Sequence, residues 1–197
     1  MDLPNCLDCK YSDQGFPCHK ADGSYDFAKV GKAVVLYGRT FREEGGEDET
    51  FDATERDEHA WSGDCSFEVE QDYPHLLLPL AAAAMDACET PRDAAYIAAG
   101  LLENAVVKHG PQLISDIERL AVVSPKFRYF LSAIWGESRT DPVVWARVRK
   151  AVGTKGVMDT DGRCPVDGDS VVALAPDEAT RLMQERVTLA GAKLGIF

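Results

Sequence analysis

LLENAVVKHGPQLISDIERLAVVSPKFRYFLSAIWG, residues 101–136, decides the architecture of this 197-residue chain. Leu113, Ile114, Ile117, Leu120 and Ala121 recur at the spacing that lines one face of a helix. Gly110 and Pro111 read as a stop and a start, so one helix ends near His109 and the next opens at Pro111. His109 then falls at a helix C-terminus, where a cation suits the dipole. Ser124-Pro125 caps a further helix that runs to Gly136. Upstream, His75 to Glu89 is mostly Leu and Ala. Thr90-Pro91-Arg92-Asp93 supplies an N-cap, a proline at the first helical position and an acidic third residue, close to a capping box. Downstream, Asp141-Pro142 opens a helix that ends at Gly153, and Pro176-Asp177-Glu178 opens a last one with acids at its positive end. Between those two, Gly156 to Leu174 holds two Asp-Gly steps and Val171-Val172-Ala173-Leu174, which predicts a small hairpin. The short connections predict antiparallel neighbours.

Composition changes near Tyr73-Pro74. Before it, Lys32 to Phe41 is β-branched and aromatic enough for a strand, and Glu43 to Glu49 follows as a charged turn. Thr50 to Trp61 can return as a polar strand, and Cys65 to Val69 alternates as a third. The expected fold is therefore α+β. A small metal-clipped N-terminal module with short strands (1–72) precedes a mainly α-helical domain (73–155), followed by a hairpin plus C-terminal helix (156–197).

Charge is unevenly placed. Glu43 to Asp72 holds thirteen Asp and Glu against the single Arg56, so this window carries the whole net charge of −12. Phosphate neutralisation needs clustered Lys and Arg, so direct binding of DNA or RNA through a broad basic face is excluded. The window is either a solvated loop or a surface that attracts basic proteins or imitates nucleic acid. On the second reading Glu47, Asp48, Glu49, Asp52, Glu55, Asp57 and Glu58 are the partner-binding residues. The start MDLPNCLDCK lacks the regions of a signal peptide, and the most apolar run, Leu76 to Ala84, is too short to span a bilayer. A cytosolic chain with no membrane partner is expected.

The candidate metal site begins in CLDCKYSDQGFPCHK, residues 6–20. Cys6 and Cys9 form the two-residue-spaced turn that aims two thiolates at one point, and Gly15 and Pro17 suggest a tight turn that presents Cys18. Cys65 is the preferred fourth ligand, with His19 and His59 behind it. A redox dithiol would sit between a strand and a helix, and no strand precedes Cys6. Unmetallated structural or reactive thiols are the remaining alternative. Cys88 and Cys164 read as ordinary buried thiols.

The order Cys-x2-Cys-Lys-Tyr, Gly-Phe-Pro-Cys, then Trp-x-Gly-x-Cys-x-Phe-Glu resembles a small bacterial four-cysteine domain. Its relatives include the small iron–sulfur subunits of certain glycyl-radical enzymes. That resemblance covers Cys6, Cys9, Cys18 and Cys65 and implies either zinc or an iron–sulfur cluster, since four thiolates serve both. Zinc is the preferred metal. The stretch from Leu76 to Val152 also resembles a helical bacterial domain of unknown function, which implies a helical fold and no particular activity.

Motifs for phosphate loops, dinucleotide binding, zinc proteolysis and nucleophile elbows are missing from the sequence. Asp159-Thr-Asp-Gly and Asp167-Gly-Asp fail the spacing of a calcium loop and read as turns. Most of Phe127, Tyr129, Phe130, Trp135 and Trp145 read as core. With Arg128, Arg139, Arg147 and Arg149 nearby, an exposed aromatic–arginine patch is the alternative. No nucleophile–base pair can be identified. The expected function is non-enzymatic: a zinc-held module that shows its acidic loop to a basic protein or nucleic-acid-binding complex. The alternative is an iron–sulfur accessory subunit.

Overall fold

A computed structural model of the chain describes residues 17–41, 53–159 and 171–187, the first five of the second segment by backbone alone. These residues are mostly helical, with one two-stranded sheet. In chain order the helices are α1 (Phe27–Arg39), α2 (Ala53–Asp72), α3 (Pro74–Ala87), α4 (Pro91–Ile97), a π-helical turn (Ala98–Leu102), α5 (Glu103–Val123), α6 (Pro125–Leu131) and α7 (Pro142–Val152). Strands β1 (Lys155–Val157) and β2 (Val172–Ala173) and helix α8 (Pro176–Gln184) follow.

Helix α3 is the centre. Leu76, Leu77, Leu78, Leu80, Ala81, Ala82, Ala84 and Met85 are all buried, and a helix apolar on every side must be covered on every side. Helices α1, α2, α4, α5, α6 and α8 all touch it.

The strand expected over Lys32 to Phe41 is helix α1 instead. Asp26 caps it by accepting a hydrogen bond from Lys29 N at 3.0 Å, and Val30, Ala33 and Val34 turn inward at helical spacing. The β-branched run misled because strand propensity yields to packing. Gly31 shows how close that packing is: a Cβ there would lie 2.6 Å from the backbone nitrogen of Ala84. The polar strand and the short strand expected between Thr50 and Val69 are likewise replaced, by α2. Its buried residues Trp61, Cys65 and Val69 recur every four positions, a helical period that alternation does not describe.

The helix starts written in Ser, Thr, Asp and Pro stand where the sequence puts them. Thr90 and Asp93 form a capping box, Ser124 Oγ accepts from Phe127 N, and Asp141 caps Val143 and Val144. Gly153 follows α7 at φ +70°, the left-handed conformation that glycine tolerates best.

The break expected at Gly110-Pro111 does not occur. Helix α5 runs through both. An interior proline costs about 3 kcal/mol. Burying Val106, Leu113, Ile114, Ile117 and Leu120 on one continuous face returns about 1.5–3 kcal/mol for each side chain, so the unbroken helix wins. Gly110 serves close packing, since a Cβ there would meet Val144 Cγ1 at 2.6 Å.

The hairpin expected over Gly156 to Leu174 is a parallel pair, with Lys155 opposite Val172 and Val157 opposite Ala173. A parallel pair needs a crossover in place of a tight turn, and both Asp-Gly steps lie outside the described residues. Helix α8 then returns to the body, where Ala179, Leu182 and Met183 are buried.

Candidate functional site

Most of the acidic window lies in α2. Its buried stripe seats the helix, which leaves Asp64, Phe67 and Gln71, three and four residues apart, on the outward side. Phe67 is 60% exposed. Glu58 near the start of the helix and Asp72 at its end are exposed too, and Glu68 is half-buried beside Phe67. Partial burial and the neighbouring Asp72 push the Glu68 carboxyl above the usual glutamate range. The helix is thus an acidic ridge with one aromatic ring standing in it.

One flank of that ridge drops into a cleft of about 210 Å³, lined by Gly63, Ser66, Phe67 and Glu70 on one side and by Tyr96, Gly100 and Asn104 on the other. The far wall includes the π-helical turn, a geometry that recurs at functional sites. A Cβ added at Gly100 would meet nothing within 4 Å, so the cleft is open there. Tyr96 is set by its neighbours: its ring lies against Gly38 and stacks on Phe41 at 6.2 Å. Burial, and then Tyr37, raise its phenol above the ordinary value.

Buried Val34, Ile97 and Leu101 also line the cleft, as does Glu70, only 5% exposed. Its carboxylate accepts from Asn104 Nδ2 at 2.6 Å and from Gln71 Nε2 at 3.2 Å, and pairs with Lys108. His109 Nε2 donates to the backbone carbonyl of Glu70 at 2.7 Å, so Nε2 carries the proton. His109 was expected at the end of its own helix. It lies inside α5 and satisfies a carbonyl in the last turn of α2 instead. Asn104 on α5 and, four and five residues after it, Lys108 and His109 together hold the end of the acidic helix. None of Phe67, Glu70 or Asn104 was singled out from sequence. The signal that could have found them is the four-residue period of Trp61, Cys65 and Val69, which fixes the faces of α2.

The residues expected to bind metal are only partly within view. Cys6 and Cys9 lie outside the described residues. Cys18, 0% exposed, occupies the turn before α1 with Sγ 3.2 Å from His19 Nδ1, and Cys65, 4% exposed, lies in the middle of α2. Both belong to the same buried cluster and neither forms a disulfide. Among the described residues no group of three or more His, Cys, Asp or Glu side chains is placed to hold a metal. Of the expected partner-binding residues, Glu47, Asp48, Glu49 and Asp52 lie outside the described residues, Glu55 and Asp57 are seen as backbone in α2, and Glu58 is exposed. His59 is half-buried on α2.

Phe127, Tyr129, Phe130 and Trp145 are core, whereas Trp135 is half exposed. Of the arginines near them, Arg139 pairs with Glu103, Arg147 with Glu118 at 2.6 Å and Arg149 with Glu137 at 3.9 Å, while Arg128 Nη1 donates to the carbonyl of Ala121 at 3.5 Å. Burial pushes the Cys88 thiol up to about 12, which keeps it protonated and unreactive. Cys164 and Asp167 lie outside the described residues. No described helix is long and apolar enough to cross a membrane.

Residues 49–156 match the model of a family of unknown function, DUF6869, and the chain belongs to that family. The match spans α2 to β1 and so includes the ridge and most of the cleft. No curated protein and no solved structure matches the chain significantly.

Proposed function

We propose that this member of DUF6869 is a non-enzymatic interaction protein that presents the acidic ridge of α2 to a basic partner. The observation that carries this reading is the combination on α2 of exposed Phe67 with Glu58, Glu68 and Asp72. An exposed aromatic ring gives contact area and the acids give orientation and steering. Glu47, Asp48, Glu49, Asp52, Glu55 and Asp57 extend the same charge along the sequence. Carboxylates displayed along a helix compete with phosphates for a nucleic-acid-binding protein, so the concrete form of the proposal is an inhibitor that works by charge mimicry. A structural zinc held by Cys6, Cys9, Cys18 and Cys65 would pin the N-terminal segment against α2, and a reducing cytosolic setting suits those thiols.

Two measurements test it. Binding of the full chain to a peptide rich in Lys and Arg, followed by calorimetry at rising salt, is expected to weaken steeply. Replacing Glu58, Glu68 and Asp72 together by Lys is expected to lower affinity about a hundredfold, on the basis of about 1 kcal/mol for each charge. Salt-insensitive binding, or a triple variant that binds as well as the parent, overturns the ridge. Elemental analysis of untagged protein purified without air is expected to give one zinc and no colour. A brown protein containing iron and sulfide overturns the zinc.

A further inference from the structure

We propose that the cleft beside the ridge is a receptor for a single arginine side chain of that basic partner. The inference rests on the interaction reading above and adds the residue type recognised and the place where it is held.

The cleft has the parts that a guanidinium needs. Phe67 stands at the mouth with its ring largely in solvent, and Tyr96 forms the opposite wall, its ring set by Gly38 and Phe41. Aromatic faces accept the flat, weakly hydrated guanidinium by stacking and by cation–π attraction, which a compact ammonium uses less well. Among the lining residues Glu70 supplies the charge and a planar pair of oxygens, the partner that an arginine fork matches. Val34, Ile97 and Leu101 add apolar wall for the stem of the side chain, Gly63 and Gly100 carry no side chain that fills the space, and about 210 Å³ is room for one long side chain, not a peptide backbone.

The chain already places a cation on this carboxylate. Lys108 pairs with Glu70, yet its side chain is 43% exposed while that of Glu70 is 7% exposed. The buried acid cannot leave for water, but the lysine can return there with little loss. An arriving guanidinium therefore exchanges for Lys108, and the buried carboxylate stays paired throughout. Lys108 acts as an internal competitor that keeps the site neutral when empty. Asn104 keeps its hydrogen bond to Oε2 in both states and holds the carboxylate in position.

The test uses the full chain and a short peptide of alternating Arg and Ser, with a peptide of alternating citrulline and Ser as the neutral control, titrated with NMR detection. The Arg peptide is expected to shift the amides of Ser66, Phe67, Gly100 and Asn104 saturably, and the citrulline peptide is not. Gly100→Leu fills the cleft without touching the ion pair and removes a helix glycine, so it remains folded; it is expected to weaken binding about tenfold. Lys108→Gln removes the competitor and is expected to tighten binding, a change that loss of a merely structural lysine would not produce. If Gly100→Leu binds as well as the parent while binding still falls with salt, the ridge stands and the cleft inference is overturned. If Lys108→Gln weakens binding, the exchange is overturned. If the Arg peptide does not bind at all, both the ridge and the cleft fall.

Discussion

Asp93 is where a single side chain does most to join two elements. It accepts from the backbone of Glu89 and Thr90 at 3.0 Å each and from Arg39 through Nε at 2.9 Å and Nη2 at 2.8 Å, so it caps α4 and ties it to α1. Burial opposes its ionisation, but Arg39 and the two amides outweigh that and hold the carboxyl below the usual aspartate range. A depressed carboxyl contributes stability that is present above its unfolded value, near 3.9, and is lost as pH falls through the folded one. Asp93→Ala is expected to cost about 2–3 kcal/mol in urea unfolding at neutral pH, from the lost cap and the lost charge-assisted hydrogen bonds. The gap between variant and parent should close as the pH is taken below the ordinary aspartate range, and a gap independent of pH would refute the assignment. Two glycines make a second contrast. Gly31→Ala drives a methyl against α3 and should cost about 1–3 kcal/mol, whereas Gly100→Ala, with open space around it, should gain about 0.5–1 kcal/mol. Equal effects in the same unfolding assay would mean that α1 is not so close to α3.

At the scale of elements, α8 is held by charge as much as by its apolar face. Lys126, fully buried, donates to the carbonyls of Met183 at 2.7 Å and Glu185 at 2.8 Å, and Asp86 accepts from Val187 N at 2.7 Å. A helix end leaves carbonyls unpaired, and here an ammonium from α6 serves them. Burial lowers the Lys126 pKa, partly offset by Asp86, 4.0 Å away. Lys126→Met is expected to cost about 2–3 kcal/mol and to speed hydrogen exchange in residues 176–187 while leaving the middle of α5 protected. Uniform exchange across both helices would contradict a local role. The same elements show what was readable in advance. Thr90, Ser124, Asp141 and Pro176 announce their helices because capping is local chemistry, written within four residues. Helices α1 and α2 and the passage through Pro111 were misread because each depends on what packs against it: Ala84 on Gly31, Val144 on Gly110, and the long apolar face of α5. The acidic character of the site was legible from charge alone. Its cleft was not, because Glu70 meets Asn104 and Lys108 only across 34 and 38 residues of chain.

For the whole molecule, the decisive fact is that one buried cluster runs from Cys18 and Tyr25 through α1 to α7 and on to Val187. Residues that share a core lose their partners together, so heating should give one cooperative transition with equal calorimetric and van't Hoff enthalpies. The proposed zinc would act at the same scale. If Cys18 and Cys65 are ligands, the metal sits at the edge of that shared core, because Cys65 belongs to the helix whose end is clamped by α5. Binding to the folded state alone then stabilises every element at once. Saturating chelator should therefore move the whole transition to lower temperature without splitting it. Replacing Cys65 by Ser should reproduce the shift in untreated protein and abolish any further effect of the chelator. An early transition that separates from a later, chelator-insensitive one would instead make the cysteine segment an independent unit. A transition indifferent to both chelator and Cys65→Ser would leave Cys65 as an ordinary buried thiol of α2.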